Sequence, residues 1–309
     1  MTRDRWDFST QLTQFGPEGT QTGDPVTLHQ AQRYCRWVAH AHYENFQIAS
    51  WFLPLRVRQD FMNLYAYCRW SDDCGDEAGS PERANELLAW WHGQLDRLFR
   101  GEPADHPVMR ALGDTVQRHQ LPAEPFYNLI SAFTQDQHQL RYESHASLED
   151  YCRRSANPVG RLVLGLGGAA TDAENLRLSD HICTGLQLAN FCQDMARDAV
   201  LGRIYAPREL WTAHGVDEAM LLAGRPTPPL QSLLVEWVAL ARGHLDAGQA
   251  LCVRVPRWLA RDIRLFRGGG LAILQQIEAQ DYDVWTRRPR VSKFQKLRLL
   301  LSSLRVTMM

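Results

Sequence analysis

The chain has 309 residues, of which 45% are hydrophobic, so it carries enough apolar material for a large folded core and is not expected to be disordered. Its 34 basic and 35 acidic residues leave a net charge of −1, which excludes a global electrostatic attraction to nucleic acid or to an anionic membrane, so any recognition by charge must be local. The seven cysteines are scattered and never form Cys-x-x-Cys, which argues against a disulfide framework or a zinc site and favours a cytoplasmic location.

Helical periodicity runs through most of the chain, and strand alternation is almost absent. Residues 1–24 lack periodicity and are predicted to form a flexible N-terminal arm, with one helical domain over residues 25–309. Helices are predicted over 27–43, 57–76, 81–100, 105–119, 124–141, 147–155, 159–170, 178–199, 228–251, 257–279 and 291–305. The pattern therefore predicts an all-α, single-domain bundle.

Paired aspartates mark one face of the helix predicted over 57–76. The residues at relative positions 0, 4, 7 and 11 return to the same side of an α-helix, and here they are Tyr65, Arg69, Asp72 and Asp76. Two carboxylates and a guanidinium thus share one stripe.

A second stripe of the same kind lies in the helix predicted over 178–199. Its residues at relative positions 0, 3, 7 and 11 are Gln187, Asn190, Asp194 and Asp198. A single Asp-x-x-x-Asp pair is most often a solvated acidic face. Two pairs, each within an otherwise apolar helical stretch, favour a functional site, because unpaired aspartates are costly when buried.

The chemistry of these carboxylates favours Mg²⁺. Like charges one helical turn apart repel each other, and a cation between them converts that cost into an attraction. Hard oxygen ligands suit Mg²⁺, which commonly bridges protein carboxylates to substrate phosphates. If the two stripes face each other across a helical core, they are expected to hold a diphosphate through Mg²⁺ and to assist its departure.

Further motifs connect the chain with a known family. Asn45-Phe46, Ala49-Ser50-Trp51-Phe52-Leu53-Pro54 and the first aspartate stripe resemble the opening of squalene and phytoene synthases. The second stripe, followed by Gly202-Arg203-Ile204-Tyr205-Ala206-Pro207, is similar to that family's second aspartate motif. The resemblance spans roughly residues 27–305 and implies an isoprenoid synthase-type helical bundle with a central active-site cavity.

Within the family, two segments are most similar to hydroxysqualene synthases of the hopanoid pathway. They are His42-Tyr43-Glu44-Asn45-Phe46 and the stretch from Tyr151 to Gly160, which contains Asn157-Pro158. This implies Mg²⁺-dependent conversion of presqualene diphosphate and water to hydroxysqualene and diphosphate. Two alternatives remain open: head-to-head condensation of two prenyl diphosphates, and a non-catalytic relative that serves as an interaction module.

The resemblance also implies roles for individual residues. The implied Mg²⁺ ligands are Asp72, Asp76, Asp194 and Asp198, with Asn190 as a further contact to metal or substrate. The implied substrate-binding residues are Asn45, Phe46, Tyr65, Arg69, Gln187, Asn190, Arg203 and Tyr205. Gln193 stands where many relatives have arginine, and its role is left open.

Two further segments each allow two interpretations. The small residues from Val163 to Ala170 fit either a tunnel wall or close helix packing. The basic C-terminal stretch places Phe294, Leu297, Leu301 and Leu304 on one face, which fits either a packed terminal helix or a contact with a membrane surface. No signal peptide or spanning segment is predicted, so a cytoplasmic protein is expected. For the C-terminal stretch a packed terminal helix is favoured over peripheral contact with the inner membrane face, and association with other pathway enzymes stays open.

Overall fold

The computed structural model describes residues 6–19, 26–41 and 53–304. These residues form α-helices and one 3₁₀ helix, with no strand among them, so the predicted all-α fold class is confirmed. In chain order the α-helices are α1 (Phe8–Phe15), α2 (Leu28–Ala41), α3 (Leu55–Asp76), α4 (Pro81–Phe99), α5 (Pro107–His119), α6 (Glu124–Gln135), α7 (His145–Ser155), α8 (Asn157–Leu166), α9 (Ala173–Val200), α10 (Arg208–Ala213), α11 (Glu218–Leu222), α12 (Pro228–Ala247), α13 (Arg257–Ala279) and α14 (Lys293–Leu304). The 3₁₀ helix spans Gly248–Val253, between α12 and α13.

The N-terminal segment is more ordered than the sequence predicts. Helix α1 lies within the predicted flexible arm, and it begins where the side chain of Asp7 accepts a hydrogen bond from the Ser9 N–H at 3.2 Å. Phe8 is buried and packs edge-on against Trp70, with 5.3 Å between ring centroids. Sequence periodicity missed α1 because a helix of eight residues is too short to repeat an apolar pattern.

The chain divides into two compact units, 1–138 with 162–169, and 139–161 with 170–309. In the first unit, α3 packs against α2, α4, α5 and α6. Its core is aromatic: Trp70 and Trp91 stack at 5.5 Å, and His106 meets Trp70 edge-on at 4.5 Å. The packing of these rings fixes the rotation of α3 about its own axis, and α3 carries the first aspartate pair.

The first unit also holds a buried polar network between α3 and α5. Asp60 is only 1% exposed, yet its carboxylate accepts hydrogen bonds from Arg118, from Thr115 at 3.1 Å and from the His119 ring at 2.9 Å. Burial raises the pKa of Asp60, but the hydrogen bonds from Arg118 and His119 outweigh it and leave the pKa below the ordinary 3.8. Asp60 is therefore a buried carboxylate that the fold keeps ionised.

In the second unit, α9 is the central helix and packs against α12, α13 and the 3₁₀ helix. Glycines permit this close approach. A Cβ at Gly185 would lie 2.8 Å from Leu245 Cγ, and a Cβ at Gly248 would lie 2.4 Å from Ile182 Cγ1. Only hydrogen fits at these positions, so α9 and α12 lie closer together than side chains would otherwise allow.

The seven cysteines are free. Within the described ranges, no helix is long and apolar enough to cross a membrane.

Candidate active site

The first aspartate stripe lies in the last turns of α3. Asp72 is 39% exposed, and Asp76, the final residue of the helix, is also exposed. The Nη1 of Arg69 lies 3.2 Å from the Asp72 Oδ2. Tyr65, two turns earlier, is half-buried, and burial raises the pKa of its phenol to about 12. Two carboxylates therefore reach solvent at one end of α3 beside a guanidinium and a neutral phenol.

Asp73 is a member of this site that sequence reasoning missed. It lies between the two motif aspartates, but its side chain is fully buried. It accepts hydrogen bonds from Arg69 and, at 2.9 Å, from the Trp6 Nε1. Burial raises the pKa of Asp73 to about 7 although Arg69 opposes the shift. The spacing could have indicated this, because Asp73 follows Trp70 by three residues and therefore lies on the packed face of α3.

The second aspartate stripe lies on α9. Asp194 is 7% exposed, Asp198 is half-buried, Gln187 is half-buried and Asn190 is exposed. Burial raises the pKa of Asp198 to about 7, and the charge of Asp194 one turn away adds to the effect. Two carboxylates thus lie one turn apart on α9, one buried and one half-buried.

A segment far along the chain covers this second pair. Arg288 donates hydrogen bonds to both oxygens of Asp194, and its Nη2 lies 2.9 Å from the Asp194 Oδ2. Gln193 donates through Nε2 to the backbone carbonyl of Pro289 at 2.7 Å. This contact gives Gln193, whose role the sequence left open, a structural function. No local pattern pointed to Arg288, because it meets Asp194 only through tertiary folding.

The two remaining sequence-predicted residues of this unit follow α9 directly. The backbone N–H of Arg203 donates to the carbonyl of Asp198 at 2.8 Å. Tyr205 stacks on Phe191 with 4.0 Å between centroids and an interplanar angle of 11°. Both line a small cavity, whose walls are Phe191, Met195, Asp198, Ala199, Arg203, Ile204, Tyr205, Ala206, Leu221 and Trp237. The structure thus brings together Asp198, Arg203 and Tyr205.

Asn45 and Phe46, which the resemblance implies as substrate-binding residues, lie outside the described residues. Among the described residues, no group of three or more His, Cys, Asp or Glu side chains is arranged to hold a metal ion. Each aspartate stripe supplies two carboxylates, so any cation bound there would need further ligands from a substrate or from water.

Comparisons with known proteins identify the family. The squalene/phytoene synthase model matches residues 26–295. Phytoene synthase from Thermus thermophilus is 30% identical over 287 residues, which cover 89% of this chain and 93% of that protein. The crystal structure of squalene synthase HpnC from Alicyclobacillus acidocaldarius is 43% identical, with a TM-score of 0.78, over 84% of this chain and 97% of that one.

A dehydrosqualene synthase structure, 23% identical, superposes with a TM-score of 0.82 over 90% of this chain and 96% of that chain. It shows the shared fold, and the predicted isoprenoid synthase-type helical fold is confirmed. The chain belongs to the squalene/phytoene synthase family.

Proposed function

We propose that the protein converts presqualene diphosphate and water to hydroxysqualene and diphosphate. The observation that carries this proposal is the pair of carboxylates one turn apart on α9, Asp194 and Asp198, with Arg203 and the aromatic residues Phe191 and Tyr205 beside Asp198. Carboxylates and a guanidinium suit a metal-bound diphosphate, and aromatic faces suit the carbocation that its departure creates. The 43% identity to a squalene synthase supports a substrate of that size class.

The donor set fits Mg²⁺. Asp194 and Asp198 lie one turn apart on the same helix, α9. Carboxylate oxygens at this spacing suit a hard divalent cation that also binds phosphate oxygens. We assign Asp72, Asp76, Asp194 and Asp198 as ligands, with Asn190 beside them. The bound cation would supply stabilisation of negative charge on the leaving diphosphate.

Each unit also contributes groups that suit phosphate. We propose Arg69 of the first unit and Arg203 of the second as guanidinium donors, since a planar fork with several N–H groups matches phosphate oxygens. Tyr65 is protonated at neutral pH, as an ordinary tyrosine is, and burial raises its pKa further, to about 12. Its hydroxyl can donate a hydrogen bond to the leaving group. Gln187 supplies an amide on the polar face of α9, and Tyr205 presents a ring held in place by Phe191. Asn45 and Phe46 complete the proposed substrate-binding set.

Head-to-head condensation of two prenyl diphosphates is the second candidate. The relative from Thermus thermophilus is a phytoene synthase and the relative from Alicyclobacillus acidocaldarius a squalene synthase, which favours this chemistry as directly as the first. Both reactions require loss of diphosphate from a similar site, so the carboxylates alone do not separate them. The substrate that the protein consumes distinguishes the two reactions.

One experiment discriminates between the two. The purified protein is incubated with Mg²⁺ and either farnesyl diphosphate or presqualene diphosphate, without NADPH, and the products are identified by mass spectrometry. Hydroxysqualene formed from presqualene diphosphate, with farnesyl diphosphate left intact, is the expected result. Consumption of farnesyl diphosphate would instead assign the protein to the condensing enzymes. No reaction with either substrate would contradict both candidates.

We also propose peripheral contact with an anionic membrane on the cytoplasmic side, where other enzymes of the pathway would exchange lipid intermediates with this one. The support comes from α14, on which Phe294 is 77% and Leu297 52% exposed. Arg290, Lys296 and Arg298 are exposed on or beside the same helix. Exposed apolar groups among basic ones suit an anionic lipid surface.

Vesicle co-sedimentation tests this contact with phosphatidylglycerol and phosphatidylcholine vesicles. Phe294→Ser with Leu297→Ser should reduce binding to the anionic vesicles severalfold. The control is Val253→Ser, because Val253 is 82% exposed but lies outside α14. Equal binding by the double variant and wild type would remove α14 as the contact.

A further inference from the structure

The first aspartate motif contains a third carboxylate whose environment differs completely from that of its neighbours. Asp72 is 39% exposed, whereas the side chain of Asp73 is 0% exposed. A carboxylate with no access to solvent cannot share a hydrated cation with Asp72 and Asp76 without leaving its place. Any role of Asp73 must therefore depend on its contacts within the protein, and these are with Arg69 and Trp6.

The first contact is the guanidinium of Arg69. Its Nε lies 3.0 Å from the Asp73 Oδ2, and its Nη2 is bonded to Oδ1, so the carboxylate holds one edge of the fork at two points. The remaining nitrogen, Nη1, lies 3.2 Å from Asp72. A side chain with four rotatable bonds is thereby fixed, with its Nη1 turned to the solvent-reaching motif carboxylate.

The second contact comes from the N-terminal segment. The indole Nε1 of Trp6 donates to the Asp73 Oδ2 at 2.9 Å, the same oxygen that accepts from the Arg69 Nε. The Trp6 ring is held by Trp37 at 5.4 Å and by Trp70 at 6.3 Å between centroids. A residue that precedes α1 thus reaches the buried side of the first aspartate motif.

We propose that Asp73 is a positioning residue that presets the Arg69 guanidinium for a diphosphate group, and that Trp6 holds Asp73 in the required orientation. The proposal rests on the proposed function, in which Arg69 contacts the diphosphate. An arginine that is already fixed loses less side-chain entropy when it binds phosphate oxygens. Trp6 then affects substrate binding indirectly, through Asp73 and Arg69, without contacting the substrate.

A purely structural ion pair would have the same contacts, so the test must separate stability from diphosphate binding. The probe is inorganic pyrophosphate with saturating Mg²⁺, and its Kd is measured by isothermal titration calorimetry. Asp73→Asn keeps the shape of the side chain and removes its charge. Trp6→Phe keeps the aromatic packing and removes the N–H donor, and it serves as the milder variant if Asp73→Asn is poorly folded.

The matched control is Tyr34→Phe. The Tyr34 hydroxyl donates to Gln11 of α1 at 2.9 Å and accepts from the Trp70 Nε1 at 3.1 Å, so its loss also loosens the N-terminal segment. Neither of these hydrogen bonds involves Arg69 or Asp73. We expect Asp73→Asn to raise the pyrophosphate Kd about tenfold, at the lower end of the effects of residues that orient a ligating group. Trp6→Phe should raise it less, about threefold, because Trp6 acts on Arg69 only through Asp73. Tyr34→Phe should leave the Kd unchanged.

A double-mutant cycle adds a readout that a structural role would not move. In an Arg69→Ala background, Trp6→Phe and Asp73→Asn should cause no further loss of pyrophosphate affinity, because the residue they position is gone. Equal losses with and without Arg69 would overturn the proposal, and so would an unchanged Kd in both single variants. If wild type itself binds no pyrophosphate, the proposed function fails first, and that result is recognised before any variant is compared.

Discussion

The guanidinium of Arg288 binds both carboxylate oxygens of Asp194, with the Nη2 2.9 Å from Oδ2, although 94 positions separate the two residues. In the proposed function this carboxylate is a Mg²⁺ ligand, so Arg288 and the metal carry charge of the same sign to the same group. Asp194 is buried, but the Arg288 side chain is 40% exposed. A divalent cation that displaces Arg288 keeps the carboxylate paired and releases the guanidinium to water, so the displacement costs only about 1 kcal/mol.

Arg288→Gln should strengthen the binding of Mg²⁺ in the absence of substrate. The expected Mg²⁺ concentration for half-saturation is about two- to fivefold lower than in wild type, because the metal no longer displaces a guanidinium. Isothermal titration calorimetry with Mg²⁺ alone measures it. Arg287→Gln is the control, since Arg287 is exposed and contacts Gln280 at 3.4 Å instead of Asp194. Identical titrations for the two variants would contradict the competition.

Asparagine at any one of the four motif aspartates should abolish most turnover. Asp72→Asn, Asp76→Asn, Asp194→Asn and Asp198→Asn each remove a charged ligand from a site that works by charge, and losses of at least about a hundredfold are expected. Asp72 and Asp76 are solvent-exposed, so their variants should keep the wild-type circular dichroism spectrum. Asp150→Asn, which disturbs only surface ion pairs with Arg153 and Arg154, is the control. Near-normal turnover in two or more motif variants would refute the metal assignment.

The sequence predicted α3 and α9 and their polar faces well, because long amphipathic helices repeat their pattern many times. The helix predicted over 57–76 is Leu55–Asp76, and the one predicted over 178–199 lies inside Ala173–Val200. Helices α10 and α11 were missed, since a helix of five or six residues has no measurable period.

Contacts between residues far apart in the sequence could not be predicted from local sequence patterns. The pairing of Trp6 with Asp73 spans 67 positions, and that of Gln193 with Pro289 spans 96. Neither residue has a neighbour in sequence that signals its partner. The roles of Asp73 and Gln193 therefore became visible only once α1 and the segment after α13 had been placed in the fold.

The pH dependence of stability should show the buried carboxylate Asp60. Its pKa is lowered below 3.8 in the folded state, so its hydrogen bonds stabilise the fold above that pH and are lost as the pH falls through the folded-state pKa. Asp60→Asn should lower the free energy of unfolding by about 3 kcal/mol at pH 7. The deficit relative to wild type should shrink at acid pH, because wild type then loses the same charge.

Denaturant unfolding at several pH values measures this effect. Asp114→Asn is the matched control, because Asp114 accepts from the same Arg118 at 2.7 Å but its side chain is 26% exposed, against 1% for Asp60. Its loss should cost less than about 1 kcal/mol. A deficit for Asp60→Asn that stays constant down to the lowest pH at which the protein folds would contradict an ionised Asp60.

Gly165 decides between the two interpretations of the small-residue segment. A Cβ at this position would lie 2.7 Å from the Leu121 Cδ2, whereas nothing lies within 4 Å of a Cβ at Gly168. The contact favours close packing at Gly165. Gly165→Ala should then destabilise the protein by about 1–3 kcal/mol through overpacking, and a second change, Leu121→Val, should restore part of that loss by removing the obstructing methyl group.

Gly168→Ala should also destabilise the protein, by about 1 kcal/mol, because its φ of +64° disfavours a side chain. Leu121→Val should not rescue this second variant, because its cost comes from the backbone. Thermal unfolding of wild type, the three single variants and the two double variants measures the coupling. Additive effects of Gly165→Ala and Leu121→Val would show that the two side chains are not in contact. The tunnel-wall interpretation of Gly165 would then be favoured over close packing.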